Sequence, residues 1–292
     1  MDIQIILLII ASIFIMFILI KYLWFNKNNS SKQKTIKQNN TNIETKIIKI
    51  KNPIDNSDLL WEESNFVENN FPNYDYEIGE KQKIFEYCKN NKYDYGVIDV
   101  GAHIGDLAIP LALALKNVNR EDIIVYAIDP SFEKCNFINK ISKINNIKNI
   151  KILNCGLSNK SKILTHDIIT EHNNTGGQGW NIISKTINLN KTTYGEESNI
   201  FIKADDLLKK GDIGKIGVYH IDVEGSELDV LEGSKELINK YKPILFIELF
   251  INRKNCKNRN DCPQLFKTIE DIDKSYKNTG FLPNGDLIFE NK

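Results

Sequence analysis

The chain has 292 residues, with 38 Lys+Arg against 38 Asp+Glu, and a pI near 6.9. The balanced charge leaves no basic excess to argue for nucleic-acid binding through phosphate neutralisation, so no nucleic-acid partner is expected. The first fifty or so residues read as non-globular, and the remainder has the length of about one large α/β domain.

Residues 3–20 form an apolar run relieved only by Gln4 and Ser12. About eighteen residues rising 1.5 Å each span roughly 27 Å, close to the hydrocarbon thickness of a bilayer. Lys21 can snorkel to the interface, and Tyr22, Trp24 and Phe25 follow at the depth of an aromatic belt. The chain opens Met1-Asp2 and no small-residue cleavage pattern follows the run, so a transmembrane anchor at 3–25 is expected rather than a signal peptide. Lys21, Lys27, Lys32, Lys34 and Lys37 lie after it against Asp2 before it, which puts the following domain in the cytoplasm. An odd count of 5 cysteines without a disulfide framework agrees with a reducing compartment.

Residues 26–56, rich in Asn, Lys, Ser, Gln and Thr, read as a polar tether. Within it, 43–51 alternates Ile with Lys or Thr and suits a short strand. An N-terminal cap is expected over 57–92. Trp61, Phe66, Phe71, Tyr74 and Tyr76 fall there in a stretch broken by Pro and Asn, as core for a small cap, and 82–89 reads as a helix presenting Ile84, Phe85 and Cys88.

Residues 93–292 then alternate strand and helix. Strands are predicted at 95–100, 123–128, 150–153, 216–221 and 244–249, and helices at 104–116, 132–144, 226–231 and 234–240. Near-continuous apolar strands separated by helices define an α/β sandwich with a mostly parallel, Rossmann-like sheet covered on both faces. Asn284-Gly285, between Phe281-Leu282-Pro283 and Leu287-Ile288-Phe289, marks an antiparallel C-terminal hairpin, expected as an addition at the sheet edge.

The candidate chemistry lies at the strand ends. Asp99-Val100-Gly101-Ala102-His103-Ile104-Gly105 is an apolar strand entering a Gly-rich turn before a helix of small residues, where a nucleotide-type ligand is expected against the backbone and the helix N–H groups. The glycine spacing fits the dinucleotide pattern G-x-G-x-x-G poorly. With an acid two residues before the first Gly, it is similar to the first motif of S-adenosylmethionine-dependent methyltransferases. Asp129, ending the second strand, can accept ribose hydroxyls, or else cap the helix that follows. Asn154, ending the third, and its neighbouring backbone can meet an adenine edge. The fourth strand ends His220-Ile221-Asp222-Val223-Glu224-Gly225-Ser226-Glu227. Its alternation puts His220 and Asp222 on one face with Glu224 in the turn above, and Glu248 ends the fifth strand on the same rim.

Taken with Asp129-Pro130, Ala204-Asp205-Asp206-Leu207, Leu231-Glu232-Gly233 and Pro243-Ile244-Leu245-Phe246-Ile247-Glu248, these segments closely resemble the FkbM-type methyltransferase family over roughly 95–248. The resemblance implies a class I methyltransferase fold and S-adenosyl-L-methionine as cofactor. It also implies O-methylation, most often of a hydroxyl on a sugar, glycan or small molecule. Asp99, Gly101, Ala102, His103, Gly105, Asp129, Asn154 and Asp222 become the expected cofactor-binding residues, and Asp222, Glu224 and His220 the candidate catalytic ones. The chain departs from the family pattern at Asp129, where Glu is common, at His103, where Asn is common, and at His220, where Lys is common.

The rival readings are a nicotinamide-dependent oxidoreductase or epimerase, disfavoured by the glycine spacing, and a non-catalytic membrane-tethered cofactor-binding protein. His166, Asp167 and His172 form no tight ligand pattern, Cys256 and Cys262 have neither zinc nor redox spacing, and no metal site is expected. Gly176-Gly177-Gln178-Gly179-Trp180 resembles a Gly-rich loop found in this part of the family.

Overall fold

The computed structural model describes residues 46–63, 78–90, 95–167, 196–248, 261–282 and 285–292, all in one compact unit, Lys46–Lys292. The expected anchor at 3–25 and the tether up to residue 45 lie outside the described residues. Among those described, no helix is long and apolar enough to cross a membrane. The end of the expected tether is folded. Strand β1 (Ile47–Lys51) pairs antiparallel with β2 (Asp58–Glu62). Between them Asn52 is buried, its amide donating to the Pro110 carbonyl at 3.0 Å and its Oδ1 accepting from the Ile54 N–H. A buried amide bonded on both sides belongs to a packed domain, so the domain starts near Lys46 rather than at 57. Trp61 is fully buried and meets Phe137 edge-on at a centroid distance of 5.7 Å, in keeping with a core role for this cap.

Helix α1 (Ile78–Asn90) leads into β3 (Gly96–Val100), α2 (Ala108–Asn117), β4 (Val125–Asp129), α3 (Phe132–Ile144) and β5 (Ile150–Asn154). A small sheet ordered β6-β8-β7 follows, from β6 (Gly156–Leu157), β7 (Lys162–Asp167) and β8 (Glu196–Ile202). The chain continues through α4 (Ala204–Lys210), β9 (Ile216–Ile221), α5 (Glu227–Glu232), α6 (Lys235–Tyr241), β10 (Ile244–Ile247), α7 (Pro263–Ile272), β11 (Tyr276–Phe281) and β12 (Leu287–Asn291).

The main sheet has 7 strands in the order β11-β12-β10-β9-β3-β4-β5. Strands β10, β9, β3, β4 and β5 run parallel, and β12 is antiparallel to both its neighbours. The C-terminal hairpin therefore extends the sheet beyond β10 as expected, with its last strand, β12, against β10 and β11 as the border. The reason lies in composition. Leu287, Ile288 and Phe289 are all buried and need cover on both faces, whereas Lys277 and Asn278 suit an exposed border strand.

Period-2 alternation sorts the core into two layers. Val97, Val125, Ala127 and Val218 face α1, α2, α3 and the β1–β2 cap. Ile98, Val100, Ile128, Tyr219 and Ile221 face α4, α5, α6 and α7. Asp99 and His220 share the first layer with Val97 and Val218, and so lie beneath α1. Cys88, Cys135 and Cys155 are free and buried, whereas Cys262 is disulfide-bonded, which the cysteine spacing does not signal. Cys256 lies outside the described residues.

Candidate active site

The chain winds outward from β3 through β4 to β5, then returns to β9 on the other side of β3. That reversal makes β3/β9 the topological switch point, where a ligand crevice opens at the carboxyl ends of the strands. Asp99, Asp129, Asn154, His220, Asp222 and Glu248 all lie at or just past those ends.

His220 pairs in register with Asp99 across β3 and β9. Its Nδ1 is 2.7 Å from Asp99 Oδ1 and its Nε2 is 3.6 Å from Glu80 Oε1, with all three residues buried. Burial alone would depress the imidazole pKa, but Glu80, the Asp99 hydrogen bond and Asp222 outweigh it and hold the ring protonated well above its ordinary value. An imidazolium with one nitrogen on Asp99 and the other facing Glu80 has no free lone pair to accept a proton. His220 is thus placed as a buried cation between two acids, the service that a Lys would perform there, and not as a general base.

The glycine loop is held by the protein more than it is offered to a ligand. The N–H groups of Gly101 and Ala102 both go to the Ile128 carbonyl, at 2.9 and 3.1 Å. The His103 N–H goes to Asp129 Oδ2 at 3.0 Å, and that of Gly105 to the Ala102 carbonyl at 2.6 Å. Helix α2 begins at Ala108, four residues later than expected, because these turn bonds intervene. Gly101 has φ +85°, and a Cβ there would come within 1.7 Å of the Asp222 carbonyl oxygen. At Gly105, φ +82°, a Cβ would press on Ile109 and Ile138. Both glycines are therefore required by the fold itself, whatever ligand approaches the loop. His103 has φ +49°, a conformation that Asn and His adopt more readily than most residues, which accounts for the exchange of one for the other. Its ring is neutral, with burial and then Lys134 lowering its pKa to about 4.

Asp129 joins this loop to the next helix. Its Oδ2 takes the His103 N–H and its Oδ1 the Ser131 N–H at 2.8 Å. Burial raises its pKa, and those two backbone bonds work against the rise. A ribose contact would add to this bracing. Asn154 donates its amide to the carbonyls of Asp129 at 3.2 Å and Pro130 at 2.9 Å, so its side-chain N–H groups brace the end of β4 rather than meet an adenine edge.

Past β9, Asp222 donates its backbone N–H to the Val100 carbonyl at 3.0 Å, and Glu248 donates its own to the Ile221 carbonyl at 3.0 Å. These bonds set the two side chains side by side at neighbouring strand ends. Burial, then Glu248, raise the Asp222 pKa well above its ordinary value, and His220 only partly counters them. Glu224 has φ +53° and Gly225 φ +111°, and the Gly225 N–H goes to Glu227 Oε1 at 2.7 Å. Gly225 and Glu227 thereby build the turn that carries Glu224 back towards Asp222. Asp222, Glu224 and Glu248 form an acidic rim, and Asp99 Oδ2 is buried without a hydrogen-bond partner. Such a site suits a ligand with cationic groups and N–H donors, so its residues fit a sulfonium amino acid.

Sequence reasoning missed two members of this site. Glu80 and the adjacent Lys81 are both buried, the first on His220 and the second 3.3 Å from Asp106 in the glycine loop. Burial pushes the Asp106 pKa up, but Lys81 outweighs it and holds the carboxyl low. The signal was a Glu-Lys pair at the start of an otherwise amphipathic helix. Other matched segments are structural: Asp205 accepts the N–H groups of Glu236 and Leu237 at 3.1 and 2.9 Å, and a Cβ on Gly233 would meet the Ser158 carbonyl at 2.1 Å. The side chains of His166 and Asp167, and all of His172 and 176–180, lie outside what is described.

The sheet order and the acidic strand ends define a class I methyltransferase fold of Rossmann-like α/β type. The Methyltransferase FkbM domain matches residues 99–281, and the chain belongs to that family. Among solved structures it is similar to the methyltransferase FkbM from Methylobacillus flagellatus KT, at 18% identity and TM-score 0.45, over 68% of this chain and 45% of that one. The chain thus spans less than half the length of that protein. It is also similar to a SAM dependent methyltransferase from Aquifex aeolicus, at 15% identity and TM-score 0.39, over 73% and 90% of the two chains. A search of curated proteins gave no match.

Proposed function

We propose that the protein transfers a methyl group from S-adenosyl-L-methionine to a hydroxyl of a sugar, glycan or small molecule. The observation that carries this reading is the acidic rim of Asp222, Glu224 and Glu248 together with the buried, unpartnered Asp99 Oδ2 on the neighbouring strand β3. When bound, the cofactor supplies a methyl group already activated by its sulfonium. The protein's task is then to align the acceptor, exclude water and take one proton. Asp222 is the residue best placed to receive that proton, Glu224 orients the acceptor, and His220 balances the buried acids behind them. Asp99 takes an N–H donor of the amino-acid portion, and Asp129 a ribose hydroxyl.

The same geometry weighs against a nicotinamide cofactor. A pyrophosphate needs free loop N–H groups, and those of Gly101, Ala102, His103 and Gly105 are already spent. An acidic rim also repels it. Calorimetric titration of the domain with S-adenosylmethionine, S-adenosylhomocysteine and NAD tests the reading: the first two should bind and NAD should not. Binding of NAD alone would overturn it. A radiolabelled methyl-transfer screen over glycans, lipids and small hydroxylated molecules then finds the acceptor, and its failure across all classes would favour a non-catalytic cofactor-binding role.

The apolar run at 3–20 supports a single membrane anchor, and the lysines after it support a cytoplasmic domain. The disulfide at Cys262 favours the opposite side, since such bonds persist in oxidising compartments. With a tag at Lys292, protease treatment of sealed membranes should remove the tag. A protected tag would make the domain lumenal and a lumenal glycan the acceptor of choice.

A further inference from the structure

Helix α1 lies ahead of the family match at 99–281, yet its first turn is built into the site. Two adjacent residues there carry opposite charges and reach opposite sides of the β3/β9 seam. Glu80 Oε1 stands 3.6 Å from His220 Nε2 on β9, and Lys81 Nζ stands 3.3 Å from Asp106 Oδ2 in the loop that follows β3. Glu80, Lys81 and His220 are all buried, so salt screens these contacts far less than surface pairs.

His220 passes the constraint on to Asp99. Its Nδ1 lies 2.7 Å from Asp99 Oδ1, and strand register sets the two residues opposite each other. An imidazole ring is rigid and planar, so holding one nitrogen against Glu80 fixes the direction from which the other meets Asp99. The two oxygens of a carboxylate diverge, so the bond at Oδ1 leaves Oδ2 turned away from the ring. That oxygen is buried and has no hydrogen-bond partner. Leaving it so is costly, and a charged N–H donor on a ligand satisfies it better than a neutral hydroxyl does.

We propose that Glu80 and His220 are positioning residues that hold Asp99 Oδ2 for the α-ammonium of the cofactor's amino-acid portion. This inference rests on the cofactor reading above, and it makes the cap helix part of ligand recognition. Neither residue touches the ligand. Both act through the orientation of Asp99.

Titration calorimetry tests this with S-adenosylhomocysteine and its deaminated analogue, which keeps the thioether and the carboxylate and lacks only the ammonium. The parent should bind the wild-type protein at least about tenfold more tightly, the value of one charge-assisted hydrogen bond. His220→Gln should bring that ratio close to one by weakening the parent alone, and Glu80→Gln should lower it in the same direction. In an Asp99→Asn background, His220→Gln should leave the ratio unchanged, because its effect runs through Asp99. Equal binding of the two ligands by the wild-type protein would overturn the proposal while leaving the cofactor reading intact. So would a ratio that neither variant alters, including a loss shared equally by both ligands, which is what a purely structural role produces. Failure of both ligands to bind the wild-type protein would remove the cofactor reading as well. Where His220→Gln does not fold, Glu80→Gln and the wild-type comparison still decide the matter.

Discussion

Asp222→Asn is expected to lower turnover by about 10²–10⁴-fold, the range in which a positioned general base contributes, while the domain remains folded. The substitution keeps the shape of the side chain and leaves untouched the backbone bond from Asp222 to Val100. It removes the oxygen that takes the acceptor proton and the charge that faces a sulfonium. S-adenosylmethionine should therefore bind more weakly, with S-adenosylhomocysteine little affected. His220→Gln should reduce turnover far less, because His220 holds acids in place and touches no reacting atom. Methyl transfer measured on the acceptor found by screening checks this, with folding followed by circular dichroism. If Asp222→Asn remains within a few-fold of wild type while His220→Gln is inactive, the roles are inverted.

His220→Leu should be among the most destabilising single changes in the domain, at about 3–5 kcal/mol, the range for removing one partner of a buried ion pair. It leaves Asp99 and Glu80 buried without their cation. His220→Lys restores the charge and should recover much of that loss. The pH dependence has a definite sign. Because the His220 pKa is raised on folding, its contribution is complete below the ordinary histidine value of about 6.5. It is lost as pH rises through the higher folded value. Wild-type stability should thus fall on the alkaline side, and His220→Leu should lose that dependence. Denaturant melts across pH measure both effects. A His220→Leu protein as stable as wild type would show that the three buried groups are not electrostatically linked.

The parallel body of the fold was legible because its strands are continuous apolar runs: Ile216–Ile221 falls where the pattern put it, as does the amphipathic helix Phe132–Ile144. Elements with weaker periodicity were not. The small sheet of β6, β7 and β8 pairs an exposed Ile163 with an exposed Ile200 while burying the polar Asn199, so the hydrophobic pattern marks no buried face there. Helix α7 did carry a signal, with Pro263 at its start and buried Leu265, Ile269 and Ile272 at helical spacing, but it follows a polar stretch that reads as loop. At the site, sequence placed the acids at the strand ends correctly, because their positions follow from strand register alone. It could not show that His220 is enclosed by Glu80, since that contact joins residues 140 positions apart through the docking of α1. Nor could it tell a glycine needed by a ligand from one needed by a neighbouring carbonyl.

That last distinction has a mechanical side. Gly101 follows β3 and Asp222 follows β9, and they approach so closely that not even a methyl group fits between the first and the carbonyl of the second. Together with the bond from the Asp222 N–H to Val100, this closes the seam between the two halves of the sheet at the very point where the crevice lies. The halves cannot part like jaws around an incoming molecule, nor can one slide along the other without breaking the contact. The floor of the crevice is thus a close-packed seam, and a Cβ at Gly101 would have to force it open.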